Sequence, residues 1–207
     1  MPMAQIEAVV FDVGNVLVRW DRRLPYIDRF DDPAELDRFL DEVIPLSWHD
    51  QHDAGRPAAE LVAERSALFP HYAPLIADWF GRFNESIPGP VPGSPELVEA
   101  LHSRGIPLYA ITNFGADTWA GFAPTFPLKD RFIDIIVSGV EKMAKPAAPI
   151  YELAERRFAR APETLFFIDD SLANVEAARR RGWHAHHFTD AATLAADLQD
   201  RGLLDRA

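Results

Sequence analysis

The first apolar run, Ala8-Val9-Val10-Phe11, is too short for a helix and does not alternate with polar residues. That is the pattern of a strand covered on both faces of a parallel sheet. The run stops at Asp12 and turns at Gly14-Asn15, which puts a carboxylate at the strand's carboxyl end. From Arg19-Trp20-Asp21 to about Ser86 the pattern is helical, with candidate helices over 24–30, 33–42, 57–68 and 74–83. In the second of these, Leu36, Phe39 and Leu40 share a face while Asp32, Glu35, Asp37, Arg38 and Asp41 lie elsewhere. Pro33 and Pro57 suit first-turn positions. Residues 47–56 read as a polar connection between two helices. Pro88-Gly89-Pro90-Val91-Pro92-Gly93 cannot continue a helix and is the clearest boundary in the chain.

Beyond it, strands alternate with helices. Ser94 is expected to cap a helix with Pro95 in its first turn, Leu97, Val98 and Leu101 on its buried stripe and Gly105 at its end. Strands are expected over 108–111, 133–137, 165–168 and about 185–188. Helices carry Ile150, Leu153, Ala154 and Phe158 on one face, close at Gly182, and run from about Ala191 to Gln199. Each parallel crossover needs a helix to return, so the spacing predicts an α/β fold with a doubly wound parallel sheet. Residues 1–19 and 88–207 make up this core, and 20–87 form an inserted helical domain.

Composition narrows the function. The 207 residues are 48% hydrophobic and 26% charged, as expected of a globular protein able to bury a full core. A formal charge of -11 leaves no basic excess for a nucleic acid or an anionic membrane. With no cysteine, disulfides, thiolate catalysis and zinc-thiolate sites are excluded. No basic leader precedes the first strand and no apolar run reaches membrane-spanning length, so the cytoplasm is the expected location.

Four strand ends carry polar residues that can meet in one crevice: Asp12, Thr112-Asn113, the region before Lys145, and Asp169-Asp170. Three neighbouring carboxylates raise one another's pKa unless cations compensate, and Lys145 with a divalent metal would do so. Oxygen-only ligands favour Mg²⁺ over zinc. The Thr112 hydroxyl and backbone N–H groups at Asn113 suit phosphate oxygens.

Phe-Asp-Val-Gly-Asn-Val-Leu, Ile-Thr-Asn, Lys-Pro and Phe-Ile-Asp-Asp-Ser, in this order, resemble the four motifs of the haloacid dehalogenase-like (HAD) hydrolase superfamily. The resemblance covers essentially the whole chain and implies a Rossmann-like core with a helical cap over 20–87. It implies a phosphatase in which Asp12 is the nucleophile that forms an aspartyl-phosphate. Lys145 and Asp169 join Asp12 as catalytic residues, and Thr112, Asn113 and Asn15 as substrate-binding ones. Asp12, Asp170 and the Gly14 carbonyl hold Mg²⁺. The Asp-x-Gly-Asn start is most similar to sugar-phosphate phosphatases of the α-D-glucose-1-phosphate type, which implies a small phosphorylated metabolite as substrate.

One position departs from the family pattern. Most of its phosphatases carry a second Asp two residues after the nucleophile, where it protonates the leaving oxygen and later activates water; here that residue is Gly14. General acid-base catalysis is worth about 10² to 10⁴ in rate. Another group supplies the proton, or the leaving group needs none, as in the metal-free 2-haloacid dehalogenases, or the protein is a non-catalytic binding member. His49, His52 and Asp53 in the polar connection are the candidates for contacting substrate. His184, His186 and His187 alternate faces of an edge strand and read as non-ligating, and Trp20, Trp79, Trp119 and Trp183 as packing residues.

Overall fold

The computed structural model describes residues 5–206; the start of the chain, read above as lacking a leader, lies partly outside the described residues. The chain enters β1 (Ala8–Phe11), turns through Gly14 into the two-residue strand β2 (Val18–Arg19), and passes into a set of helices. These are α1 (Pro33–Arg38), which continues as one wider turn over 39–43, α2 (Leu46–Asp53), α3 (Ala58–Leu68) and α4 (Ala73–Gly81). The chain returns through β3 (Gly89–Pro90), which pairs antiparallel with β2. It then alternates: α5 (Ser94–Ser103), β4 (Leu108–Thr112), α6 (Ala116–Phe122), β5 (Asp134–Val137), α7 (Ser138–Glu141), α8 (Ala148–Phe158), β6 (Leu165–Asp169), α9 (Leu172–Arg180), β7 (His184–His187) and α10 (Ala191–Asp200).

The five long strands form one parallel sheet in the order β5-β4-β1-β6-β7. Successive residues of β1 feed opposite layers, which is why its sequence does not alternate. Val9 and Phe11 pack with α5, α10 and the inserted helices, whereas Ala8 and Val10 pack with α8 and α9. The strand order reverses between β1 and β6, so the crevice beyond their carboxyl ends is the place where an α/β sheet leaves room for a ligand.

Four local expectations are corrected. Residues 24–30 form only a short turn at Leu24–Tyr26, because Ile27 is exposed and a single buried Tyr26 cannot anchor two turns. The stretch 47–56 is mostly the helix α2. Its buried face is Trp48, His49, His52 and Asp53, a helical stripe made of polar groups and therefore invisible to hydrophobic periodicity. Ser94 does not cap α5: Gly93 does, with φ +83° and no room for a side chain against Ala191. Helix α6 was not expected, since Gly115 and Gly121 weaken its pattern; its buried Thr118 and Phe122 lie four residues apart on one face.

The start of α7 ties the inserted helices to the sheet. Ser138 Oγ accepts from the Phe114 N–H (2.9 Å) and donates to the Asp53 carbonyl (2.5 Å). Gly139 lies so close to the chain after β4 that a Cβ would fall 2.6 Å from Ala116 N and 2.8 Å from both Gly115 Cα and Phe114 O. Gly14 has open space where its Cβ would be. Gly139→Ala is therefore expected to destabilise by about 1–3 kcal/mol, and Gly14→Ala to change stability by less than about 1 kcal/mol. Urea denaturation of both variants checks the contrast.

Candidate active site

Asp12 follows β1 directly, and its N–H extends the ladder to the Ile168 carbonyl (2.8 Å). Its Oδ1 accepts from the Val13 N–H (2.7 Å) and lies 3.0 Å from Lys145 Nζ, while Oδ2 has no hydrogen-bond partner among the described residues. One oxygen is thus pinned and the other open. Lys145 is buried and also lies 2.6 Å from Asp169 Oδ2, so one ammonium bridges two carboxylates from adjacent strands. Asp169 is fully buried and saturated: Asn174 Nδ2 donates to both its oxygens (3.0 and 3.1 Å) and the Ser171 N–H to Oδ1 (2.8 Å).

The loop bearing Lys145 is fixed by Asn113, whose Oδ1 accepts from the Lys145 N–H and whose Nδ2 donates to its carbonyl, both at 2.9 Å. The Asn113 side chain is therefore spent on positioning Lys145. Thr112 closes β4 with a buried side chain whose hydroxyl has no partner among the described residues. Asn15 adopts a left-handed conformation and accepts from the Trp20 N–H (3.1 Å).

Charge in the cluster is unbalanced, since three carboxylates face one ammonium. Burial, most of all, pushes Asp12 above the usual carboxylate range, with Lys145 pulling it down and Asp169 and Asp170 pushing further up. Asp170 is raised by burial and by Asp169, against hydrogen bonding from Asn15 and the charge of Lys145. Carboxylate oxygens of Asp12, Asp169 and Asp170 approach within 4.8 Å of one another. A hard divalent cation fits this set: Asp169 is committed to protein donors, but Asp12 Oδ2, the Asp170 carboxylate and the Gly14 carbonyl offer uncommitted oxygens.

Over these strand ends lies a cleft of about 70 Å³ walled by Gly14, Val18, Trp20, His49, Asp53, Phe83, Ile87, Asn113 and Phe114. Trp20, expected to pack only, stacks on His49 (5.4 Å between centroids) and has a buried indole N–H without a partner. His49 and Asp53 reach this cleft, whereas His52 points away from it, its Nε2 2.6 Å from the surface carboxylate of Asp117. The edge-strand histidines do not come together as ligands. His186 pairs with Asp197, and His187 Nε2 meets the Asp170 carbonyl at 2.9 Å, steadying the loop after β6. Asn174, Phe83 and Phe114 were not read from the sequence as site residues. For Asn174 the available signal was an amide in the first turn of the helix after Asp169-Asp170-Ser171.

Burial governs the two titratable groups in the cleft wall. It holds His49 down at about 3, helped by His52 and Arg22. It lifts Asp53 to about 7, reinforced by Asp50 and Asp12 and opposed by the Gly115 amide. A depressed histidine contributes stability that is complete above its ordinary 6.5 and is lost as pH falls toward 3; a raised carboxyl contributes stability that is complete below 3.8 and is lost as pH rises toward 7. Each effect is worth at most roughly 1.4 kcal/mol per pH unit. Compared with wild type, His49→Phe should lose less stability from pH 6.5 to 4, and Asp53→Asn should lose less from pH 4 to 7. Melting temperature against pH for the three proteins checks both signs.

The model of the haloacid dehalogenase-like hydrolase family matches residues 6–182. The sesquiterpene phosphatase astK of Aspergillus oryzae is 25% identical over 194 residues, 93% of this chain and 95% of that protein. Acyl-CoA dehydrogenase family member 10 of Mus musculus is 24% identical over 93% of this chain, which spans 19% of that protein. Among solved structures, a HAD family enzyme from Bacteroides thetaiotaomicron in complex with magnesium and inorganic phosphate superposes with a TM-score of 0.66 at 21% identity, over 89% of this chain and 95% of that one. An L-2-haloacid dehalogenase from Xanthobacter autotrophicus with chloropropionic acid covalently bound does so with 0.63 at 15%, over 95% and 83%. At these identities both structural likenesses establish the fold.

Proposed function

The chain belongs to the haloacid dehalogenase-like hydrolases, and on that premise we propose that it is a Mg²⁺-dependent phosphatase acting on a small phosphorylated metabolite through an aspartyl-phosphate on Asp12. The observation that carries this reading is the pinned Asp12, with one oxygen held by Lys145 and the other open, inside a three-carboxylate cluster with excess negative charge. A metal-free displacement on carbon has no use for that excess. A cation held by Asp12, Asp170 and the Gly14 carbonyl would supply charge neutralisation for a phosphate dianion approaching a carboxylate.

In this reading a carboxylate oxygen of Asp12 attacks phosphorus, the ester P–O bond breaks and the alcohol leaves. Water then cleaves the acyl-phosphate and frees Asp12 and inorganic phosphate. Thr112 Oγ1 and the N–H groups after β4 bind the transferring phosphoryl oxygens, and Lys145 holds the nucleophile and steadies its charge. Asp169 acts from behind, orienting Lys145. The helices over 20–87 serve as the cap, and the small enclosed cleft suits a small molecule. The Asp-x-Gly-Asn start supports a sugar phosphate. The aromatic wall of Trp20, Phe83 and Phe114 instead supports an organic group with little polar surface. So does an apolar cavity of about 380 Å³ that shares Val18 and Ile87 with the cleft. The relative named as a sesquiterpene phosphatase agrees with the second.

Three measurements test the proposal. Phosphate release from a panel containing a hexose 1-phosphate, an isoprenyl phosphate and an aryl phosphate should require Mg²⁺, and Asp12→Asn should abolish it while leaving the circular dichroism unchanged. Mg²⁺ at 100 times its Kd should stabilise the wild type by about 2.7 kcal/mol, and Asp170→Ala should remove that gain. Metal-independent halide release from a 2-haloacid without phosphate release would assign the protein to carbon–halogen hydrolysis instead.

A further inference from the structure

Position 14 carries no carboxylate, yet the cleft contains one. Asp53, the last residue of α2, lines the same cleft as Gly14 and is 7% exposed. Its surroundings favour the acid form. Trp79 Nε1, which can only donate, lies 3.2 Å from His49 Nδ1, so His49 carries its proton on Nε2, which lies 3.3 Å from Asp53 Oδ2. On the other side, the contact of His52 Nε2 with Asp117 puts the His52 proton there and leaves Nδ1 as a bare acceptor. That acceptor lies 3.9 Å from Asp53 Oδ1. Both of these atoms are buried without a hydrogen-bond partner among the described residues. An ionised Asp53 would set its charge beside a bare ring nitrogen in a dry place, and the acid form lessens that repulsion.

We propose that Asp53 is the general acid and base of this enzyme, taking the part that a carboxylate at position 14 plays elsewhere in the family. The proposal rests on the phosphatase reading above. As the ester P–O bond breaks, the Asp53 carboxyl gives its proton to the leaving oxygen in the cleft and is left as a carboxylate beside the neutral His49. The resulting carboxylate takes a proton from the water that attacks the acyl-phosphate, so the acid form is restored within one turnover and no outside donor is needed. Burial and the charges of Asp50 and Asp12 keep its proton affinity near neutrality, where an acid that must also act as a base is most effective. His49 and His52 are positioning residues: burial keeps both neutral, and they flank the Asp53 carboxyl. The Ser138 bond to the Asp53 carbonyl sets the end of α2 against the sheet.

The test compares an alkyl phosphate, whose alkoxide needs a proton, with 4-nitrophenyl phosphate, whose leaving anion does not. Asp53→Asn should lower kcat/KM for the alkyl ester by about 10² or more, at least ten times its effect on the aryl ester, and should abolish the limb near pH 7 in the alkyl profile. Since Gly14 has room for a side chain, Gly14→Asp in the Asp53→Asn background should recover at least ten-fold on the alkyl ester. The same change in the wild type should gain little. If Asp53→Asn fails to fold, a large gain from Gly14→Asp in the wild type overturns the proposal and a negligible one supports it. Equal losses on the two esters, in a protein whose Asp12→Asn variant is dead, would overturn the role of Asp53 alone. Wild-type protein that releases phosphate from neither ester with Mg²⁺ would overturn the phosphatase reading and this one with it.

Discussion

The site depends on one buried ammonium. Asp12 and Asp169 end neighbouring strands, so the sheet itself brings two carboxylates together in a place with almost no water. Desolvated like charges are tolerated only when a cation repays the cost, and losing one partner of such a group is far more damaging than losing a surface pair. Lys145 reaches both at 2.6 and 3.0 Å, and the rest of the local structure holds it there. Asn113 clamps its backbone and Asn174 saturates the far side of Asp169. The same arrangement pins one oxygen of Asp12 and leaves the other open toward the crevice. Orientation of the Asp12 carboxylate is thus a by-product of solving an electrostatic problem that the strand order creates.

Helix α2 solves a second problem of the same kind. It buries two histidines and an aspartate, each costly without a partner, and meets the cost by chaining them. Trp79 donates to His49, His49 Nε2 lies 3.3 Å from Asp53, and His52 turns outward to Asp117. Phe83 and Trp20 stack on His49 and keep it dry, which is why it stays neutral. A purely structural helix in this position would fill its inner face with leucine or valine at lower cost. Shifted titratable groups facing a cleft are a mark of function.

The core was legible because its strands are buried on both faces and leave unbroken apolar runs, each ending in the polar residues that meet at the site. Asp12, Thr112, Asp169 and Asp170 could therefore be placed from strand ends, and Lys145 in the stretch that follows β5. What could not be read were the features that depend on tertiary partners. Helix α2 hides because its buried stripe is polar, and α6 because two glycines dilute its pattern. The ring direction of His52, and the employment of the Asn113 side chain by the Lys145 backbone, are decided by atoms distant in sequence. Ser94 carried the right residue type for a cap, but Gly93 won because the turn there is left-handed and pressed against Ala191.

Placing the acid on α2 rather than in the loop after β1 changes what the loop must do. With glycine at position 14, that loop offers backbone only: an uncommitted carbonyl and a bend completed by the left-handed Asn15. The proton then resides on the inserted helices, joined to the sheet at α2 through Ser138 and the close approach of Gly139 to Phe114 and Gly115. An acid in the loop depends on β1 alone, whereas an acid on α2 depends on the contacts that seat that helix against the sheet, where the aromatic wall lowers the local dielectric and strengthens every charge–charge interaction inside. In the proposed cycle the carboxylate that protonates the leaving group also activates the water, so both steps rest on those same contacts.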